Sequence, residues 1–202
     1  MKKIVLSVLA IGAFAFTANA QTPDIKLGAK AGVNFSNLSN FDDSKMKTGF
    51  HVGALAEIFI NEKFAIQPEL LYSTQGVKGK SGSGISGLFG QKVDATLKLD
   101  YINIPIMAKY YVMDGLSVHA GPQVGFLVKG EMELKSGGDK ATKDIKDQCN
   151  SVDFGLNFGA GYELPMGVFF DARYNLGLTK VLKDSNESVK NGVFQLSVGY
   201  KF

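Results

Sequence analysis

The residues best placed to do chemistry are charged side chains on the polar faces of alternating segments. Arg173 lies two residues from Asp171, which places both on one side of a strand. Such a pair either gates a channel or fills a closed interior, because an unpaired buried charge is costly. We expect a plug rather than a gate. The predicted lumen charge network comprises Glu57, Glu69, Lys109, Asp153, Glu163, Asp171, Arg173 and Lys201.

The two histidines are the main candidates for catalysis. By their positions in alternating segments, His51 is expected near one end of the fold and His119 near the opposite end. A rim site at His51 would need a neighbouring hydroxyl or carboxylate, because a nucleophile works beside its base. The nearby candidates are Ser44, Asp42 and Asp43. A lone histidine at a strand end is more often a polar interior residue, so we predict no catalytic residue and no enzyme.

Three further motifs have simpler interpretations. Residues 82–87 match G-x-G-x-x-G, but without a flanking strand and helix they indicate a flexible loop, and no cofactor is predicted. Asp139, Asp144 and Asp147 could contact Ca²⁺ or cations bound to lipopolysaccharide. Because lysines alternate with them, we predict a solvated loop and no metal site. Cys149 is the single cysteine, which excludes an internal disulfide and leaves either a cross-link to a partner or an incidental thiol.

Eight segments of the chain alternate apolar with polar residues, the period of a β-strand. In the fourth, the apolar residues change from odd to even numbers, and we predict a bulge near Tyr101 that keeps all of them on one face. Short turns at 61–63, 113–115 and 165–167 alternate with long polar connections. The segments are 25–35, 49–60, 64–76, 96–112, 116–128, 152–164, 168–178 and 194–202.

This layout predicts an all-β fold, an eight-stranded antiparallel up-and-down transmembrane β-barrel with three short periplasmic turns and four long outer loops. The polar face carries glycines and charges of both signs, and the apolar face has aromatic residues near both ends, as membrane girdles do. Eight strands leave a lumen just wide enough for side chains. We therefore predict a structural or surface-interaction role. A narrow porin-like channel for small solutes and a rim enzyme near His51 are the alternatives.

The first 20 residues have the features of a cleaved signal peptide: two lysines, an apolar stretch over 4–16, and the small-residue site 18–20. The barrel domain is then 21–202, exported to the outer membrane of a Gram-negative cell. Without those two lysines the chain has 20 basic and 19 acidic residues. This balance lacks the excess of positive charge that is typical of nucleic-acid-binding proteins.

The chain ends in a strand-like segment with a terminal aromatic residue. This ending resembles the assembly signal read by the outer-membrane insertion machinery, so we predict that machinery as a partner. Outer-membrane lipid and lipopolysaccharide are the other expected partners of a monomeric barrel. The predicted signal comprises Phe194, Leu196, Val198, Tyr200 and Phe202.

Four motifs resemble a known family. Residues 67–73 (QPELLYS), 101–106 (YINIPI), 120–125 (AGPQVG) and 174–178 (YNLGL) are similar to the PorT-type outer membrane protein β-barrel domain family, a porin-like group common in Bacteroidota. The resemblance implies outer-membrane location and an eight-stranded barrel, and no settled activity. Asn103 stands where many members carry Glu, which implies that one interior acid is missing.

Overall fold

The computed structural model describes residues 24–39, 44–79, 93–136, 139–181 and 189–202. In these ranges no helix is long and apolar enough to cross a membrane. The elements found there are β1 (Ile25–Leu38), β2 (Ser44–Phe59), β3 (Phe64–Gly79), β4 (Val93–Met113), β5 (Leu116–Ser136), β6 (Asp139–Asp144), a 3-10 helix (Lys146–Gln148), β7 (Val152–Glu163), β8 (Val168–Lys180) and β9 (Lys190–Lys201).

Every described strand except β6 belongs to one closed antiparallel barrel. Around the barrel the order is β4, β3, β2, β1, β9, β8, β7 and β5, and β5 pairs back with β4. Ala31 of β1, for example, pairs with Val52 on one side and Val198 on the other. The predicted eight-stranded barrel is confirmed, and closure satisfies the edge hydrogen bonds that lipid cannot.

The three short turns are also confirmed, and each has a local cause. The Asn61 side chain accepts hydrogen bonds from the backbone N–H groups of Lys63 and Phe64, which fixes the turn between β2 and β3. Gly115 and Gly167 have φ values of 77° and 87°, in the left-handed region that glycine adopts without a steric penalty.

The apolar face of the barrel points outward. Phe154 and Phe170, for example, leave 53% and 52% of their surface exposed. A contiguous surface of this kind is stable in lipid rather than in water. Exposed aromatic residues lie at both predicted levels: Phe64, Tyr110, Tyr162, Phe170, Tyr200 and Phe202 toward the turns, and Tyr72, Phe126, Phe154 and Tyr174 toward the loops.

The odd-numbered apolar residues of β4 point into the lumen, so the predicted change of phase in this strand is wrong. Burial alternates without interruption from Leu99 to Lys109. Leu99 and Tyr101 are 0% and 1% exposed. The apolar residues of β4 shift from odd to even positions because the outer part of the lumen is itself apolar. The strand keeps the same face toward the lumen throughout.

A bulge does occur beside Tyr101, but its extra residue lies on β5. Asp100 pairs with Lys129. The next residue of β4, Tyr101, pairs with Leu127, which leaves Val128 without a partner in β4. Such a bulge bends the strand that contains it and reorients the side chains beyond it.

The strand β6 lies in the predicted third loop and was not expected. It pairs with the end of β5, so that residues 93–98, 131–136 and 139–144 form a three-stranded sheet that projects past the outer end of the barrel, here called the outer flap. On this flap Glu133 pairs with Lys98, Lys140 and Lys135. Hydrogen bonds from Lys98 and Lys140 lower the pKa of Glu133 to about 2, so the carboxylate is ionised at neutral pH.

Candidate functional site

The middle of the lumen contains a buried set of charges, here called the central cluster: Lys30, Glu69, His119, Asp171 and Arg173. Arg173 donates two hydrogen bonds to Glu69, of 2.9 Å from Nη1 to Oε2 and 2.8 Å from Nη2 to Oε1. Lys30 Nζ lies 2.8 Å from Glu69 Oε2. Asp171 lies 3.5 Å from Arg173 Nε and 3.2 Å from His119 Nε2. The two cations and two carboxylates balance, as buried charges require.

The central cluster crosses the barrel along two diameters. In the order of strands around the barrel, β3 and β8 are four places apart, as are β1 and β5. Arg173 of β8 therefore reaches Glu69 on the opposite wall. Lys30 of β1 and His119 of β5 approach the same centre from the other two sides. Side chains that meet from four walls leave no central passage at this level.

A second set, the inner cluster, lies at the turn end and comprises Glu57, Lys109, Tyr111, Glu163 and Lys201. Lys201 contacts Glu57 and lies 2.7 Å from Glu163. Lys109 Nζ lies 2.8 Å from Glu57 Oε1. The Tyr111 hydroxyl donates a 2.7 Å hydrogen bond to Glu57. The structure thus unites Glu57, Lys109, Glu163 and Lys201 of the predicted network in one group.

Below the inner cluster, a pocket of about 540 Å³ opens at the turn end of the barrel. Its walls include Lys26, Phe59, Tyr111 and Glu163. The rings of Phe59 and Tyr111 stack with centroids 5.6 Å apart, and Lys26 Nζ lies 3.3 Å from Glu163. The pocket reaches the inner cluster at Tyr111 and Glu163, which form part of its wall.

The outer end of the lumen is apolar, and we call this group the outer plug. Ile145 and Cys149, which flank the short 3-10 helix, fold back into it and are 4% and 0% exposed. Backbone hydrogen bonds hold the segment, from Leu127 N to Ser151 O and from Asn150 N to Val181 O. The members of the plug are Leu38, Val77, Leu99, Tyr101, Leu127, Ile145, Cys149, Val181 and Val189.

Asp153 stands apart from the other predicted network residues. It lies at the outer end of the lumen, where Asn191 Nδ2 donates a 2.9 Å hydrogen bond to Asp153 Oδ2. No cation among the described residues pairs with it. The same Asn191 amide reaches the Tyr101 hydroxyl at 3.4 Å, which links Asp153 to the edge of the outer plug.

His51 lies inside the lumen and not at a rim. Its Nδ1 is 2.7 Å from Asn34 Oδ1, and its Nε2 is 2.8 Å from Ser197 Oγ. This row has the order of a hydrolytic triad. However, His51 is 1% exposed, and a Cβ added to Gly32 would lie 2.6 Å from its ring. No substrate has room there, so the row serves as packing.

Of the predicted rim constellation, the structure describes only His51 and the backbone of Ser44, and these two residues are far apart. Ser44 begins β2, seven residues from His51, or roughly 23 Å along an extended strand. Asp42 and Asp43 lie outside the described residues. The expected separation of the two histidines is also wrong, because His51 contacts Ser197, whose cross-strand partner Asp171 lies 3.2 Å from His119. A strand of 16 residues places His51 near its middle, whereas the sequence reading began this strand at residue 49.

The remaining sequence motifs form no site in the described part of the chain. Residues 82–87 lie outside it, as does the side chain of Asp139. Asp144 and Asp147 are exposed, and Asp144 accepts a hydrogen bond from the backbone of Lys146. Within the described ranges, no three His, Cys, Asp or Glu residues are arranged to hold a metal ion.

The sequence reading missed Lys30 as a central cation. The alternation pattern could have identified Lys30 as a lumen residue, because Lys26 and Lys30 occupy the polar face of β1. Their partners, however, lie 39 to 141 residues away in β3, β7 and β8. Alternation assigns each lysine to the lumen without saying at which level or beside which carboxylate.

Burial of Cys149 gives a direct test of the outer plug. We expect a membrane-impermeant maleimide to leave Cys149 unlabelled in the folded protein and to label it fully after heat unfolding, because this residue is 0% exposed. The matched control is C149S/S151C, since Ser151 is exposed two residues further on. Rapid labelling of Cys149 in the folded form, at the rate of the control, would show that the plug is open.

A closed barrel with a lipid-facing exterior and a charged, filled lumen is a small outer-membrane β-barrel protein. The chain belongs to the outer membrane protein beta-barrel domain family, whose model matches residues 19–183. The family and the fold place it in the outer membrane of a Gram-negative cell.

Solved structures of other outer-membrane proteins share this fold at low sequence identity. Neisserial surface protein A is 17% identical over 90% of this chain and 100% of its own, with a TM-score of 0.54. The Yersinia pestis outer membrane protein Ail in a phospholipid bilayer nanodisc is 16% identical over 89% and 100%, with a TM-score of 0.50. A major outer membrane protein from Thermus thermophilus is 12% identical over 88% and 99%, also at 0.50. No curated protein matches the chain.

Proposed function

We propose that this protein is a permanently closed barrel with a structural or surface-interaction role, and neither a channel nor an enzyme. The central cluster carries this proposal. Arg173 and Glu69 join opposite walls at the middle of the lumen with both side chains at most 1% exposed. A bidentate arginine–carboxylate pair in a dry interior is strongly held, because separating it would leave two unpaired buried charges.

The proposal gains support from the order of the three groups along the lumen. A solute moving from the periplasmic pocket would meet the inner cluster, then the central cluster, and then the outer plug. Displacing any one group leaves the other two in place. A narrow porin-like channel, the alternative function, would require all three to move together.

We assign the interaction role to the outer end of the molecule. Loops that a rigid scaffold positions are where barrels of this kind vary and bind. Here the outer flap adds a sheet beyond the barrel, with charged residues on its surface. The resemblance to PorT-type members stays a prediction, and it names no partner for these loops.

Conductance measurements test the closed state. We expect refolded wild-type protein, and the Arg173→Ala variant, to show no steady current in planar bilayers, because the inner cluster and outer plug remain in each case. A large open porin recorded in parallel shows that insertion succeeds, and heat-modifiable gel migration shows that each sample is folded. Stable unitary currents from the wild type would overturn the proposal in favour of the channel.

A further inference from the structure

A small cavity lies inside the lumen between the central cluster and the inner cluster. Its volume is about 10 Å³, close to the smallest that holds one water molecule. His119 and Asp171 of the central cluster form part of its wall, as do Lys109 and Glu163 of the inner cluster. Lys109 and His119 are register partners in β4 and β5, so the cavity lies where the two clusters meet.

Three residues in the wall of this cavity each have a buried polar atom without a hydrogen-bond partner in the described part of the chain. The atoms are Gln67 Oε1, His119 Nε2 and Asp171 Oδ1, in residues that are 6%, 7% and 8% exposed. The Gln67 amide is held in its orientation, because its Nε2 donates a 2.7 Å hydrogen bond to Glu69 Oε1. His119 Nε2 lies 3.2 Å from Asp171 but is not aligned for a hydrogen bond. Since unpartnered buried polar atoms are costly, these atoms call for a ligand.

One water molecule matches the three groups. It can donate hydrogen bonds to Gln67 Oε1 and to the Asp171 carboxylate, and it can accept one from His119 Nε2. Buried waters typically make about three such bonds.

An ion fits the cavity less well than water does. The two clusters together already balance, so an ion would add an unpaired buried charge. A chloride would in addition face the oxygen acceptors of Gln67 and Asp171. The balanced groups are the cations Lys30, Lys109, Arg173 and Lys201 and the carboxylates Glu57, Glu69, Glu163 and Asp171.

We infer that this cavity binds one water molecule, which joins the central cluster to the inner cluster. Because the water has only two protons to donate and both go to oxygen acceptors, His119 must carry a proton on Nε2. The Asp171 carboxylate beside Nε2 favours the same position for the proton. The site depends on the contacts of the two clusters and not on the role proposed for the barrel.

The water completes a row of polar groups from the periplasmic pocket to the middle of the lumen. Tyr111, in the wall of the pocket, donates a hydrogen bond to Glu57. Lys109 Nζ lies 2.8 Å from the same carboxylate, and Lys109 lines the small cavity together with His119. The water therefore connects His119 with the periplasmic side of the barrel.

Gly161 of β7 gives a way to displace the water without removing a polar group. It lines the cavity, and a Cβ at this position would lie 3.1 Å from Phe170 O and 3.3 Å from Asp171 Oδ2. An added methyl group thus needs only a small adjustment and takes the space of the water. Gly130 of β5 is the matched control, because a Cβ there would lie 3.2 Å from the Lys146 backbone and outside the cavity.

The test compares crystal structures of the refolded full-length mature protein and its G161A and G130A variants, at a resolution that shows ordered waters. Crystals are grown in sodium chloride and, in parallel, in rubidium bromide, whose ions are identified by anomalous scattering. We expect a water-sized peak within hydrogen-bond distance of His119 Nε2 and Gln67 Oε1 in the wild type and in G130A. The peak should be lost in G161A. Heat-modifiable migration checks that each variant is folded.

Nitrogen NMR of histidine-labelled wild-type protein in phospholipid nanodiscs gives a second measurement that needs no cavity variant. We expect the proton of His119 on Nε2, and comparison with H51Q assigns the signals. An empty cavity in the wild type, a rubidium or bromide peak at the site, or a His119 proton on Nδ1 alone would each overturn the inference. An unchanged peak in G161A, or an equal loss in G130A, would also count against it.

Discussion

Replacing Arg173 by alanine is expected to lower the free energy of unfolding by about 3–5 kcal/mol, the usual cost of leaving a buried charge without its partner. In the native lumen Arg173 and Lys30 neutralise Glu69 and Asp171. The variant leaves two carboxylates facing one ammonium group. The change should appear as a lower temperature at which the folded form is lost in heat-modifiable gel migration, and as a lower urea midpoint.

A paired set of substitutions separates the charge from the volume of Arg173. Arg173→Met keeps most of the side-chain volume and should be nearly as unstable as the alanine variant. The double variant E69Q/R173M removes one charge of each sign and leaves Lys30 facing Asp171, 3.9 Å away. Because replacing both members of a buried pair is often close to neutral, the double variant should recover most of the loss. If it were as unstable as Arg173→Met alone, loss of packing rather than of charge would be the cause.

Strand alternation is sufficient to predict the wall of this barrel. A period of two decides which residues face lipid, and turns of three residues decide where the chain reverses. Phe154, Phe170 and Tyr174 therefore lie where the sequence placed them. The failure at Leu99 and Tyr101 has a physical reason, since alternation reports polarity and the lumen here is polar in its lower part and apolar in its outer part.

The contacts inside the lumen are not encoded by any local pattern. Arg173 and Glu69 are 104 residues apart and meet because β3 and β8 are opposite in the closed barrel. Their common level depends on the register of every strand pair between them. The sequence therefore predicted that both residues point inward, and only the complete set of registers shows that they touch.

The flap strand β6 escaped prediction for a different reason. Its sequence, DKATKD, carries no apolar alternation, because Ala141 is its only apolar residue. Such a segment resembles a loop when it is judged by polarity. It becomes a strand here because the outer end of β5 offers it unpaired backbone groups.

Phe202→Ala is expected to reduce the yield of protein inserted into the outer membrane severalfold while hardly changing the stability of molecules already folded. The Phe202 side chain is 74% exposed, and its ring contacts Tyr200 at 6.4 Å between centroids. Its backbone N–H donates a hydrogen bond to Leu27 O, which alanine keeps. Little native packing is therefore lost, so a lower membrane yield would report on the predicted assembly signal rather than on the stability of the folded barrel.

Phe170→Ala provides the matched comparison for this role. Phe170 is 52% exposed on the lipid-facing side of β8 and pairs across the sheet with Val198, near the same aromatic level. Both variants lose one lipid-facing aromatic ring. If the loss of a ring weakened the affinity for the membrane, the membrane yield of both variants would fall equally. If the signal is specific to the terminal residue, only Phe202→Ala should lower the membrane yield. The yield is measured as the amount of folded protein in outer-membrane fractions. Normal membrane yield of Phe202→Ala, or an equal deficit in Phe170→Ala, would contradict a signal at the C-terminus.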